Sequence, residues 1–65
     1  MEVKLLPQNQ TLTFPNAMIV KVLLKKLGLA PESVMVIRNA MLLTEEERVL
    51  TDDNIEIRSV ISGGL

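Results

Sequence analysis

The sequence predicts an α+β fold in which one helix packs on a mixed sheet, its elements in the order ββαβββ. Three observations predict it. Two runs of alternating apolar and polar residues near the N-terminus flank a short polar break, the pattern of an antiparallel hairpin. Residues 17–27 change to helical spacing and end at a glycine. Three further short apolar runs follow, each bounded by turn-forming residues.

In residues 2–6, Val3 and Leu5 fall on one face and Glu2 and Lys4 on the other, with Leu6 breaking the alternation. Pro7-Gln8-Asn9 is turn chemistry. Residues 10–14 alternate again, Leu12 and Phe14 inward and Thr11 and Thr13 outward. Pro15-Asn16 closes this second strand, and Asn16 is the expected helix N-cap. Val20, Leu23, Leu24 and Leu27, at i, i+3, i+4 and i+7, make one helical face, and Lys21, Lys25 and Lys26 make the solvent side. Gly28 supplies a left-handed stop, and Pro31 prevents the helix from resuming. The helical stripe is expected to bury against Val3, Leu5, Leu12 and Phe14.

The continuous apolar run at residues 34–37 reads as a well-buried central strand. Asn39-Ala40 is the turn before a short strand at residues 41–43. Glu45-Glu46-Glu47-Arg48 is expected to form a solvated helical or 3₁₀ turn, with Val49 and Leu50 beneath it. Thr51-Asp52-Asp53-Asn54 is a second turn, and residues 55–61 form the last strand, Ile55 and Ile57 against Glu56 and Arg58.

Composition narrows the function. Sixty-five residues make one small domain, with no room for an enclosed substrate cavity beside a core. There is no Cys and no His, hence no disulfide, no zinc site of the usual kind, no thiol nucleophile and no imidazole base. A net charge of −1 and a single aromatic residue, Phe14, argue against nucleic acid as a direct partner. The start Met1-Glu2-Val3-Lys4 lacks the features of a signal peptide, and the apolar runs are far shorter than the about 20 residues that span a bilayer. A soluble cytoplasmic protein, without membrane contact, is expected. At 48% hydrophobic residues, some apolar side chains must stay at the surface, and a cluster of them would mark a protein contact.

The run Val60-Ile61-Ser62-Gly63-Gly64 turns from strand-like to a glycine pair one residue before Leu65. Paired glycines add nothing to a core and raise the cost of ordering. They suit a carboxylate that must thread a narrow channel in another protein, where a Cβ would clash.

The helix end Val22-Leu23-Leu24-Lys25-Lys26-Leu27-Gly28-Leu29, the entry Pro31-Glu32-Ser33-Val34, the turn at Arg38-Asn39 and the closing Glu56-Ile57-Arg58-Ser59-Val60-Ile61-Ser62-Gly63-Gly64 come in a telling order. Together they resemble the β-grasp sulfur carriers and ubiquitin-like modifiers, the family of ThiS, MoaD, TtuB and the small archaeal modifier proteins. The resemblance covers essentially the whole chain. It implies a β-grasp domain at residues 1–61, a flexible tail at 62–64, and Leu65 as an expression remnant or a processed extension. The family often has a glycine near Ala40 and an Asp-Gly-Asp near Asp53-Asn54, so Asn39 and Asn54 are expected to take any left-handed backbone position.

The resemblance also implies the chemistry. The chain is expected to be a protein cosubstrate and not an enzyme, with no catalytic residue, no metal and no bound cofactor. An E1-like adenylating enzyme consumes ATP to activate Gly64, and a sulfur donor of cysteine desulfurase or rhodanese type converts the adenylate to a thiocarboxylate. The destinations implied are tRNA thiolation first, then thiamin and molybdopterin synthesis. Capture of the same acyl group by target-protein lysines, as in a ubiquitin-like modifier, is the alternative, and an unreactive binding module is another. Ser62 and Gly63 are expected to thread the partner's channel, and Arg58, Leu6, Leu43 and Val60 to form the docking surface on the sheet's open face. Lys21, Lys25 and Lys26 read as a solvated face, the acids Glu45–Glu47 with Asp52 and Asp53 as solvating charge, and Met18, Met35 and Met41 as core or rim.

Overall fold

The computed structural model describes residues 1–60; the expectations placed on Ile61, Ser62, Gly63, Gly64 and Leu65 lie outside the described residues. Five strands form one mixed sheet. They are β1 (Glu2–Leu6), β2 (Gln10–Thr13), β4 (Val34–Arg38), β5 (Met41–Leu42) and β7 (Asn54–Ser59), in the spatial order β2-β1-β7-β4-β5. β1 runs antiparallel to β2 and parallel to β7, and β4 runs antiparallel to both β7 and β5. The last strand is therefore the central one. One helix, α1 (Val20–Leu27), covers one face of the sheet, which is the expected α+β architecture.

Two elements were not legible in advance. Met18–Ile19 (β3) and Arg48–Val49 (β6) pair antiparallel as a separate two-stranded ladder. Met18 and Ile19 were expected in the first turn of the helix, and Arg48 in an acidic helical turn. Instead the extended β3 leads straight into α1, and its partner β6 supports the helix start. Asn16 is not the N-cap: Ile19 occupies that position without a side-chain cap. The Val20 and Lys21 N–H groups donate to the Glu47 and Glu45 carbonyls at 2.8 and 3.0 Å. A neighbouring backbone thus satisfies two donors that a capping side chain would otherwise serve.

The helix ends as its sequence demands. Gly28 has φ 72°, its N–H donates to the Lys25 carbonyl at 3.1 Å, and the Leu29 N–H donates to the Leu24 carbonyl at 2.9 Å. This reciprocal pair closes the last turn, and Leu29 packs on the core beneath it.

Val3, Val20, Leu23, Leu24, Val36, Val49, Ile55 and Ile57 are buried, with Met1 beside them. Leu5, Phe14, Leu27 and Leu43 are half-buried against this cluster. Leu12, expected in the core, is half-buried but, among the described residues, is not one of those packed on the cluster. It sits on the outermost strand, where the helix does not reach. Leu50 was expected beneath the acidic turn and is exposed, whereas Val49 is fully buried.

Asn39 (φ 54°) and Ala40 (φ 65°) both take the left-handed region, as a two-residue turn between β4 and β5 requires. Asn54 does not: it starts β7 as extended backbone, and Asn9 (φ 59°) is the other left-handed asparagine.

Candidate docking face and tail root

On β7, Ile55 and Ile57 point into the core, so alternation sends Asn54, Glu56 and Arg58 to the uncovered face. The register then assembles a site. Arg58 lies opposite Leu6 on β1 and Met35 on β4, and Glu56 lies between Lys4 and Ile37. Ile37 is in turn opposite Leu42 of β5. Leu6, Met35, Ile37 and Leu42 thus share the open face and border a charged centre. Leu42 is 64% exposed, Met35 37% and Val60 44%.

Of the four residues expected on a docking surface, Leu6 and Arg58 lie opposite each other and Val60 follows Arg58 by two residues. Leu43 stands apart, half-buried against the core, with its N–H donating to the Val36 carbonyl at 2.8 Å. Its neighbour Leu42 holds the exposed position, because a shift of one residue in a strand exchanges the two faces. Met35, Ile37 and Leu42 extend the site beyond the residues singled out from sequence. The signal for Met35 and Ile37 was the strand at residues 34–37, whose unbroken apolar run conceals which side is covered; Leu42 lies in the next short run.

Arg58 is not a free cation. Its Nε donates to the Glu56 carboxylate at 2.6 Å while its side chain stays 54% exposed. The pair holds the guanidinium beside Glu56 on the open face. At the upper end of the central strand the Val60 N–H donates to the Ser33 carbonyl at 3.0 Å. This bond ties the last described residue to the segment that precedes β4; Gly64, Gly63 and Ser62 lie outside the described residues.

Two of the acids, Glu47 and Asp53, have structural work. Glu47 accepts the Thr44 N–H at 2.7 Å, closing the turn before β6. Asp53 accepts the Leu50 N–H at 2.8 Å and the Arg38 guanidinium at 2.9 Å, and Arg38 also donates to the Arg48 carbonyl at 3.0 Å. The Leu50 N–H first, and Arg38 after it, hold the Asp53 carboxyl below its ordinary pKa against partial desolvation. Lys21, Lys25 and Lys26 are exposed on the helix, away from the open face. Among the described residues no cluster of acids could hold a metal ion, and no helix is long and apolar enough to cross a membrane.

No protein-family model matches the chain. It is, however, 37% identical over 59 residues to the sulfur carrier protein TtuB of Thermus thermophilus, a match covering 91% of each chain. A helix packed on a mixed sheet whose central strand leads to the C-terminus is the β-grasp arrangement, and with identity of this extent the chain belongs to the β-grasp sulfur-carrier family of TtuB, a family of carriers and not of enzymes.

Proposed function

We propose that this protein carries sulfur on the carboxyl group of Gly64. A free carboxylate is a poor electrophile, because attack on it must expel oxide or hydroxide. An E1-like enzyme removes the difficulty: the Gly64 carboxylate attacks the α-phosphate of ATP, pyrophosphate leaves, and the acyl-adenylate gains AMP as a leaving group. Sulfur from a persulfide donor then displaces AMP, and reduction of the acyl-disulfide by a thiol leaves the thiocarboxylate. A carrier without cysteine suits this route, since the sulfur rides on the backbone terminus. Ser62 and Gly63 thread the enzyme's channel, and Leu6, Arg58 and Val60, joined by Met35, Ile37 and Leu42, dock the body beside it.

The observation that carries this reading is the exposed apolar arc around Arg58 on the open face, beside Val60 at the end of the central strand. The identity to a protein named as a sulfur carrier supports the cargo. We place the protein in the cytoplasm and assign it first to tRNA thiolation, with thiamin and molybdopterin synthesis after it.

Leu65 presents an isobutyl group where a channel for glycine has no space, so the working form ends at Gly64. The test uses chains ending at Gly64 and at Leu65, incubated with the cognate adenylating enzyme, ATP and a sulfur donor, and weighed intact. The Gly64 chain gains the mass of one oxygen exchanged for one sulfur, and the Leu65 chain does not. Equal conversion of both, or of neither where a known carrier reacts, removes the mechanism. An isopeptide on a target lysine in place of the thiocarboxylate identifies a modifier.

A further inference from the structure

We propose that the free edge of β2 pairs with the same edge of a second copy of this chain, joining two sheets into one. Met1 and Phe14 exchange both backbone hydrogen bonds, at 2.9 Å each. In an antiparallel ladder the bonded residues alternate, so Leu12 and Gln10 face β1 while the N–H and C=O groups of Thr11 and Thr13 point outward. Among the described residues β2 is the outermost strand on this side, so these four groups form an edge with no strand beside it.

Proteins usually blunt such an edge with lysine, proline or a bulge. The strand Gln-Thr-Leu-Thr carries no charge and no proline. It is also symmetric about Leu12. A copy added antiparallel with its two-fold axis at Leu12 sets Thr11 against Thr13 of the partner subunit, and Thr13 against Thr11 of the partner subunit. All four outward threonine groups in each copy are then satisfied, and the threonine side chains stack as cross-strand pairs.

Two independent features favour a second copy as the occupant. The row across the joint reads Glu2, Thr13, then the partner's Thr11 and the partner's Lys4, so opposite charges flank it on each side. On the other face the two Leu12 side chains meet at the axis. This covers a half-buried apolar group that is not among the residues packed on the core. Asn9, in the left-handed region, and Pro15 limit the pairing to a short segment, so the association is weak and concentration-dependent. The Arg58 face remains open, and this inference does not depend on the sulfur chemistry.

The experiment is amide hydrogen exchange by NMR on the unmodified protein over a dilution series, with sedimentation in parallel. Exchange at Thr11 and Thr13 is expected to slow roughly tenfold from dilute to concentrated samples as the mass moves toward a dimer. Thr13→Pro, which removes one outward donor per copy, and Thr11→Lys, which adds an edge charge, are each expected to return the protein to a monomer. Circular dichroism checks that each variant is folded. Concentration-independent exchange with a monomer mass throughout overturns the proposal. So does a dimer that survives in a folded variant, or protection that arises only with a different protein.

Discussion

Ala40 sits at φ 65°, a region in which a Cβ crowds the following carbonyl at a cost of roughly 1–2 kcal/mol. The turn imposes it, since both central residues between β4 and β5 must be left-handed. Asn39 tolerates the position through its short polar side chain; alanine has no such help. Ala40→Gly is therefore expected to stabilise the fold by about 1 kcal/mol, the relief of strain exceeding the added chain entropy. Chemical denaturation reads this as a higher midpoint at unchanged slope, and a lower midpoint would remove the strain. A second residue-scale prediction concerns Asp53. Its folded pKa lies below the ordinary 3.8, so its contribution is present above that value and is lost as pH falls through the folded pKa. Asp53→Asn is expected to be less stable than the parent at pH 7, with the gap closing below about pH 4. A gap constant down to pH 2 would show that the carboxylate charge plays no part.

At the scale of elements, α1 shows what local sequence can and cannot specify. Its end was legible because Gly28 and the stripe of Val20, Leu23, Leu24 and Leu27 carry their information locally. Its start was not, because the donors of Val20 and Lys21 find carbonyls more than twenty residues away, in the segment leading to β6. Ladders of two residues, such as β3 with β6, leave no periodicity to read. The same reason hid the facing of β5: in so short a strand nothing in the sequence says which of Leu42 and Leu43 turns inward. Val20, Leu23 and Leu24 of the helix stripe are buried as its spacing predicts, Leu23 and Leu24 at 0% and 2% exposure, and Leu27 is half-buried. Leu24→Ala is expected to cost about 2–5 kcal/mol, a large share of what so small a domain has. Denaturant titration checks it, and a loss under about 1 kcal/mol would mean that the helix packs loosely on the sheet.

At the scale of the whole molecule the two faces of the sheet differ, and on the proposed function one serves stability and the other recognition. One is covered by α1, and the other keeps Leu6, Met35, Ile37 and Leu42 around an Arg58–Glu56 pair near the end of β7. Leu42 of β5 and its neighbour Leu43 separate these roles in one experiment. Leu42 is exposed, so Leu42→Asp is expected to leave the unfolding midpoint near that of the parent. On the proposed function it lowers kcat/KM for adenylation by roughly tenfold or more, as loss of an interface anchor does. Leu43 packs on the core, so Leu43→Asp buries a charge without a partner and is expected to unfold the domain. Arg58→Glu sets two carboxylates side by side in place of an ion pair and is expected to act like Leu42→Asp. Lys26→Glu, on the covered side of the molecule, is expected to change adenylation little. If Leu42→Asp and Arg58→Glu both react at the parental rate while Lys26→Glu is slow, the partner approaches over the helix, and the open face has some other use.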